Sequence, residues 1–116
     1  MSYLFELGDQ EVWAPGNRTA ELYLGMIETA AKLLDRPTGL TEKPGGSWYD
    51  VDRIAYPELV TAMLREFTAS GNWQFRILLG SLLGVSIAVL DRAGIEIETR
   101  NEAEQKAVVD LRDAAF

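Results

Sequence analysis

Fourteen consecutive uncharged residues, Ile77 to Leu90 (ILLGSLLGVSIAVL), constrain the fold of this chain more than any other feature. A helix that crosses a lipid bilayer needs about twenty predominantly apolar residues. This run is shorter, and it lies between Arg76 and Asp91. A helix that is apolar on all sides is the buried helix of a bundle, contacted from several directions. The run therefore predicts a central core helix over about residues 73–93 and no membrane span.

Small residues recur at every fourth position of this run, at Gly80, Gly84 and Ala88. On a helix they form a shallow strip that another backbone can approach closely. Because such strips drive helix association mainly in lipid, we expect a close contact within the same chain. A homodimer interface along the same three residues is the alternative.

The other hydrophobic patterns predict an α+β fold that is mainly α. Alternating residues on either side of Gly8-Asp9 predict an antiparallel hairpin over residues 3–13, with glycine at the first central turn position. The alternating run IEIET predicts a short strand over residues 95–99. Residues 36–51 contain two prolines and three glycines, and we expect them to form a long loop.

Three or four helices are expected to pack around the central helix. Asn17 and Asp52 are predicted to cap two amphipathic helices, and Asn101 with Glu104 resembles a capping box that opens a third. On the first of them, Leu22 and Leu33 are expected on the buried face. The predicted extents are about residues 18–35, 53–69 and 101–114. A chain of 116 residues has room for one hydrophobic core, so we expect a single domain over residues 1–116.

The chain contains no cysteine and no histidine. The missing cysteine excludes disulfides, thiolate metal sites and cysteine nucleophiles, and it fits a reducing cytoplasm. The missing histidine removes the commonest general base and the imidazole ligands of most metal sites. The residue inventory therefore favours a protein without enzymatic activity, and we expect no metal ion and no cofactor.

The formal net charge is -7, and the basic residues are scattered. Such a surface repels nucleic acid and anionic membranes, and it attracts a basic protein. The alternative is that the charge only keeps a small domain soluble. The first residues, MSYLFEL, have neither a basic leader nor an uninterrupted apolar run, so we do not expect a signal peptide.

The most site-like cluster consists of Trp48, Tyr49, Asp50 and Asp52. The two carboxylates could hold a cation, but a calcium loop would need an oxygen ligand at position 54 and a glycine at position 55, and the sequence has neither. Asp52 is better explained as the helix cap. The two aromatic side chains either fold back on the core or anchor a partner, and we favour the first interpretation.

A second group of candidates gathers negative charge near one edge of the chain, at Glu96, Glu98, Glu102 and Glu104. Carboxylates at a helix start also favour the helix dipole, so these residues could be an ordinary solvated surface. The alternative is a docking patch for a basic protein.

Three segments, YLFELGDQEVWAPGNRTAELYLG from Tyr3, PTGL at 37–40 and LDRAGIEIE at 90–98, resemble a group of small actinobacterial (Streptomyces-type) proteins of unknown function. The similarity covers most of the chain. It implies one intact domain and a bacterial cytoplasmic setting, and it supplies no catalytic or binding residue.

Three functions remain in order of preference. The first is a non-catalytic protein-binding domain that recognises a basic partner, as an antidote to a basic toxin or as an adaptor. The second is a small-molecule binder or histidine-free enzyme with a pocket under residues 36–51, using Trp48, Tyr49, Asp50 and Arg53. The third is a homodimeric structural protein.

Overall fold

The computed structural model describes residues 2–115. The chain forms two compact units, of which the first ends at Leu59 and the second begins at Val60. The secondary structure is mainly helical with a small sheet, which confirms the predicted α+β class. The single domain stays a prediction. The elements are β1 (Leu4–Leu7), β2 (Gln10–Trp13), α1 (Asn17–Leu33), β3 (Leu40–Glu42), β4 (Trp48–Val51), α2 (Ala55–Ala69), α3 (Trp73–Arg92) and α4 (Glu102–Ala115).

The predicted N-terminal hairpin is confirmed. β1 and β2 pair antiparallel, with Leu7 opposite Gln10 across the turn. Gly8, the first central turn residue, has φ +62°. Glycine adopts this left-handed conformation without the Cβ clash that other residues suffer, which is why the turn can be as short as two residues.

The predicted long loop at 36–51 is wrong, because this segment contains a second hairpin. β3 pairs antiparallel with β4, and β4 pairs parallel with β1, so the sheet has the order β2-β1-β4-β3. The small β element is therefore four-stranded and mixed, whereas a purely antiparallel element was predicted. Parallel pairing joins strands that are distant in the chain, and the local pattern of residues 40–51 carries no sign of that partner.

α1 covers the sheet of the first unit. Tyr23 makes edge-to-face contacts with Phe5 and Trp13. The predicted cap is wrong by one residue: Gly16 occupies the N-cap position without a side-chain hydrogen bond, and Asn17 is the first helical residue. Leu22 and Leu33 are exposed, because the buried stripe runs through Ala20, Tyr23, Ile27, Ala30 and Ala31.

α2 begins in the first unit and continues into the second. The Asp52 carboxylate accepts hydrogen bonds from the backbone N–H groups of Ile54 and Ala55, both at 2.8 Å. These bonds satisfy donors that the first helical turn leaves free. The prediction that Asp52 caps this helix is therefore confirmed.

α3 confirms the predicted helix over the apolar run. Its N-cap is Asn72, whose side chain accepts a hydrogen bond from the Phe75 N–H. Burial is uneven along it: most residues from Leu79 to Leu90 are buried, whereas the large apolar side chains at Trp73, Ile77 and Leu78 are exposed. The expectation that the whole helix is an enclosed core element is therefore correct only for its C-terminal part.

The predicted strand at 95–99 is not formed. Its residues still alternate between half-buried and exposed, so the sequence pattern reports burial correctly. A strand also requires a hydrogen-bonded neighbour, and residues 95–99 are not part of the sheet β2-β1-β4-β3.

α4 confirms the last predicted helix. The Asn101 side chain accepts a hydrogen bond from the Glu104 N–H, as a capping residue does. Within the second unit α4 packs against α3, where a Cβ built on Gly84 would lie 2.7 Å from the carbonyl oxygen of Leu111. The expected close contact within the same chain is thus confirmed at Gly84.

Candidate functional site

The structure separates the four residues of the predicted aromatic and acidic cluster. Trp48 and Asp50 lie two residues apart on β4, so their side chains share one face of the sheet. Lys43 joins them: its Nζ lies 3.2 Å from Asp50 Oδ1, 3.4 Å from Glu6 Oε1 and 4.1 Å from the centre of the Trp48 ring. The Trp48 Nε1–H donates to Glu6. The hydrogen bond to Asp50 is the main cause of a raised pKa at Lys43.

Tyr49 faces the opposite side of the sheet. Its ring stacks on Phe5 at 5.4 Å and on Tyr3 at 6.2 Å, and its hydroxyl donates to Glu42. Burial, followed by the hydrogen bond to Glu42, raises the pKa of the Tyr49 phenol. Tyr49 folds back on the buried Phe5, as expected. Trp48 does not fold back on the core: it is 40% exposed and contacts Glu6 and Lys43 on the other face of the sheet.

Asp52 lies outside both groups. The backbone N–H groups of Ala55 and Ile54 lower the pKa of its carboxyl because they stabilise the charged form. Its role is to start α2. Arg53, which the small-molecule hypothesis added to this cluster, is an exposed residue of the same turn.

The second predicted group is split as well. Glu96, Glu98 and Glu102 are exposed, and their carboxylates form no ion pair or hydrogen bond among residues 2–115. We refer to these three residues as the acidic edge. Glu104, by contrast, is only 1% exposed. It cannot belong to a docking surface, and its inclusion among the binding candidates is wrong.

Glu104 has a structural role at the start of α4. One carboxylate oxygen accepts from the Arg100 backbone N–H at 2.9 Å, and the other accepts from the Arg100 guanidinium at 2.8 and 3.0 Å. The side-chain bond to Arg100, then the backbone bond, lowers the pKa of Glu104 against the opposing effect of burial. The capping-box pattern identified the helix start and gave no sign of this burial. The presence of Arg100 four residues earlier was the one sequence feature that pointed to a charge partner for Glu104.

A trough of about 460 Å³ lies beside the acidic edge, within the second unit. Glu96 lines it, and so does Arg112, which lies 3.8 Å from Asp91. Its apolar walls come from the end of α3, the segment after it and α4. The residues are Ile87, Leu90, Ile95, Ile97, Val108 and Val109.

These features were compared with known proteins. The model of a family described as a family of unknown function, DUF6086, matches residues 1–115. The chain is a member of DUF6086. The resemblance to a group of proteins of unknown function is confirmed at that level. No curated protein and no solved structure matches the chain.

The DUF6086 chain has a further concave surface that the sequence did not reveal as a site. An apolar groove of about 610 Å³ in the second unit is lined by Trp73 and Ile77, and its floor includes Gly80 and Gly84. Arg76 lies over the Phe67 ring at 4.3 Å and donates to the Phe67 carbonyl. The four-residue spacing of Trp73, Ile77 and Ser81 was the sequence feature that pointed to this groove, because residues at that spacing share one face of a helix.

The three residues of the small-residue strip, Gly80, Gly84 and Ala88, have different surroundings. Gly84 contacts the α4 backbone, and a Cβ on Gly80 would lie 3.1 Å from the Phe67 ring. Ala88 is buried. A homodimer interface along the three residues stays a prediction, and it would have to form where the chain already packs on itself.

α3 is also the one helix among the described residues that is long and apolar enough to cross a membrane. More than half of that window is buried inside the protein, and core helices of water-soluble proteins pass the same test. Among the same residues, no three acidic side chains converge to hold a metal ion.

Proposed function

We propose that this DUF6086 protein is a non-catalytic binding domain that recognises a basic protein through the acidic edge. The observation that carries the proposal is that three exposed carboxylates, Glu96, Glu98 and Glu102, follow closely in the chain without a cationic partner among the described residues. The neighbouring acid, Glu104, is neutralised by Arg100. The edge therefore carries uncompensated negative charge beside a trough whose lining combines apolar side chains with polar ones, Arg112 among them.

The chemistry of the other cluster favours binding over catalysis. Lys43 is held by Asp50 and Glu6, which keeps it protonated. Tyr49 is hydrogen-bonded to Glu42, and its raised pKa also keeps it protonated near neutral pH. Groups that must exchange protons work best with pKa values near the operating pH, and these shifts move both groups away from it.

The experiment compares two variants of equal charge. In Glu96→Gln/Glu98→Gln/Glu102→Gln the acidic edge is neutralised, and in Glu21→Gln/Glu28→Gln/Glu66→Gln three exposed carboxylates elsewhere are neutralised. Each tagged protein is used to capture partners from the native host, and the affinity of any captured protein is then measured. We expect a basic partner that binds the wild type and the control equally and the edge variant at least tenfold more weakly.

Equal binding to all three proteins would contradict the proposal, and so would a partner with no basic character. Trp48→Phe is an additional control, because it alters the cluster on β4 and leaves the edge intact. A selective loss in Trp48→Phe would instead favour the second hypothesis.

The proposed setting is the cytoplasm of a bacterium. There the protein would act as an antidote to a basic toxin or as an adaptor. The cysteine-free composition supports a reducing compartment. Cell fractionation with an antibody against the chain tests the setting, and recovery in the membrane or secreted fraction would contradict it.

A further inference from the structure

The segment that connects α3 with α4 has backbone groups available for pairing. Within the described part of the chain, the N–H groups of Glu96, Ile97, Glu98 and Thr99 donate no hydrogen bond. A row of unpaired backbone donors is what the edge of a sheet presents to an added strand.

The side chains of this segment already follow a strand pattern. Burial alternates from Ile95 to Thr99, with Ile95 and Ile97 half-buried and Glu96 and Glu98 exposed. In a strand, successive side chains point to opposite faces. The glutamates therefore share one face and the isoleucines share the other; both isoleucines line the trough, and Glu96 contributes to its lining as well.

Both ends of the segment are fixed. The Ile95 N–H donates to the Leu90 carbonyl at 3.0 Å, and the Arg100 N–H donates to Glu104 at 2.9 Å. Glu104 is itself buried. Fixing a binding segment before the partner arrives lowers the entropic cost of association.

We propose that an extended basic segment of the partner adds to residues 96–99 as a β-strand. Residues directly opposite each other in a strand pair lie on the same face, and opposite charges there are favourable. The partner would therefore carry Lys or Arg opposite Glu96 and Glu98, and apolar residues at the alternate positions that face the trough. Main-chain hydrogen bonds would supply affinity and the alternate side chains specificity, as in other cases of strand addition.

A second copy of this chain fits the segment poorly. Two copies would place Glu96 and Glu98 opposite the same glutamates, and like charges directly opposite are destabilising. Charge complementarity thus selects a basic strand as the occupant.

The test uses a short peptide of alternating lysine and valine with the full chain. This inference rests on the proposed function, so the readouts separate the two. In saturating peptide, we expect hydrogen exchange at alternate amides among residues 96–99 to slow at least tenfold, because alternate N–H groups of a strand point to the same edge. A peptide that binds without slowing these amides, or that does not bind, overturns strand addition.

The control is a charge exchange. Glu96→Lys/Glu98→Lys should lose the lysine peptide and bind the corresponding glutamate–valine peptide, with the same alternate protection. Failure of the exchange overturns the predicted register. The proposed function falls separately, if neutralising the acidic edge leaves capture of the native partner unchanged.

Discussion

Glu104 is the residue on which the start of α4 depends most. Its carboxylate accepts three hydrogen bonds from Arg100 while almost wholly buried. Hydrogen bonds to a charged group contribute about 1.5–3 kcal/mol. We expect Glu104→Gln to lower the free energy of unfolding by about 2 kcal/mol at neutral pH, as measured by urea denaturation. Glu102→Gln is the control and should change it by less than about 0.5 kcal/mol; equal effects would contradict this role.

The same residue should make stability depend on pH. A carboxylate whose pKa is lowered by folding stabilises the fold above its ordinary pKa, and this contribution is lost as the pH falls through the lowered value. We expect the difference between wild type and Glu104→Gln to be constant near neutral pH and to shrink below about pH 4.3. Denaturation measured across this range checks the sign, and a difference that grows on acidification would refute it.

Trp48 contributes to the sheet of the first unit through contacts with two charged residues. Its indole donates to Glu6, and Lys43 lies over the ring. We expect Trp48→Phe to lower the free energy of unfolding by about 1 kcal/mol, because it removes the hydrogen bond and keeps an aromatic ring. Denaturation by urea measures this, and an unchanged midpoint would show that the contact with Glu6 carries no stability.

At the scale of elements, Gly84 determines how closely α3 and α4 pack. Alanine there would bring its Cβ to 2.7 Å from the Leu111 carbonyl oxygen. We expect Gly84→Ala to destabilise the protein by about 1–3 kcal/mol, the usual cost of overpacking, and to leave its mass in light scattering unchanged.

The matched control is Gly25→Ala in α1, where nothing lies within 4 Å of the added Cβ. It should stabilise the protein by about 0.5–1 kcal/mol, since alanine is the better helix former. A change of mass in Gly84→Ala without loss of stability would instead indicate a dimer interface.

The elements also show what a sequence pattern can and cannot predict. The amphipathic helices were predictable because their periodicity is local, α3 because of its uninterrupted apolar run, and the first hairpin because Gly8 marks its turn. The β3–β4 hairpin was missed because β4 pairs with β1, more than forty residues earlier in the chain. The strand at 95–99 was predicted from an alternation that reports burial and not hydrogen bonding.

The site residues were predictable to a similar extent. The three glutamates of the acidic edge were predictable because charged side chains usually lie on the surface. Asp52 was correctly assigned as a helix cap. Trp48 and Tyr49 of the predicted aromatic and acidic cluster lie on opposite faces of β4. Their separation could not be predicted, because neighbouring residues are placed on opposite faces only when the segment is a strand.

At the scale of the whole molecule, the net charge of -7 should govern the rate of association. Attraction between opposite charges accelerates encounter and is screened within about 8 Å at physiological ionic strength. We expect the association rate with a basic partner to fall at least tenfold between about 0.02 and 0.5 M salt, with a smaller change in the dissociation rate. Stopped-flow measurements check this, and a rate independent of salt would contradict electrostatic recognition.

The most direct test of the acidic edge is zero-length carbodiimide coupling of carboxylates to the lysines of a bound partner, followed by mapping of the linked peptides. Recognition through the edge predicts amide links at Glu96, Glu98 or Glu102 that disappear at high salt. Links confined to other carboxylates, such as Glu21 or Glu28, would contradict it.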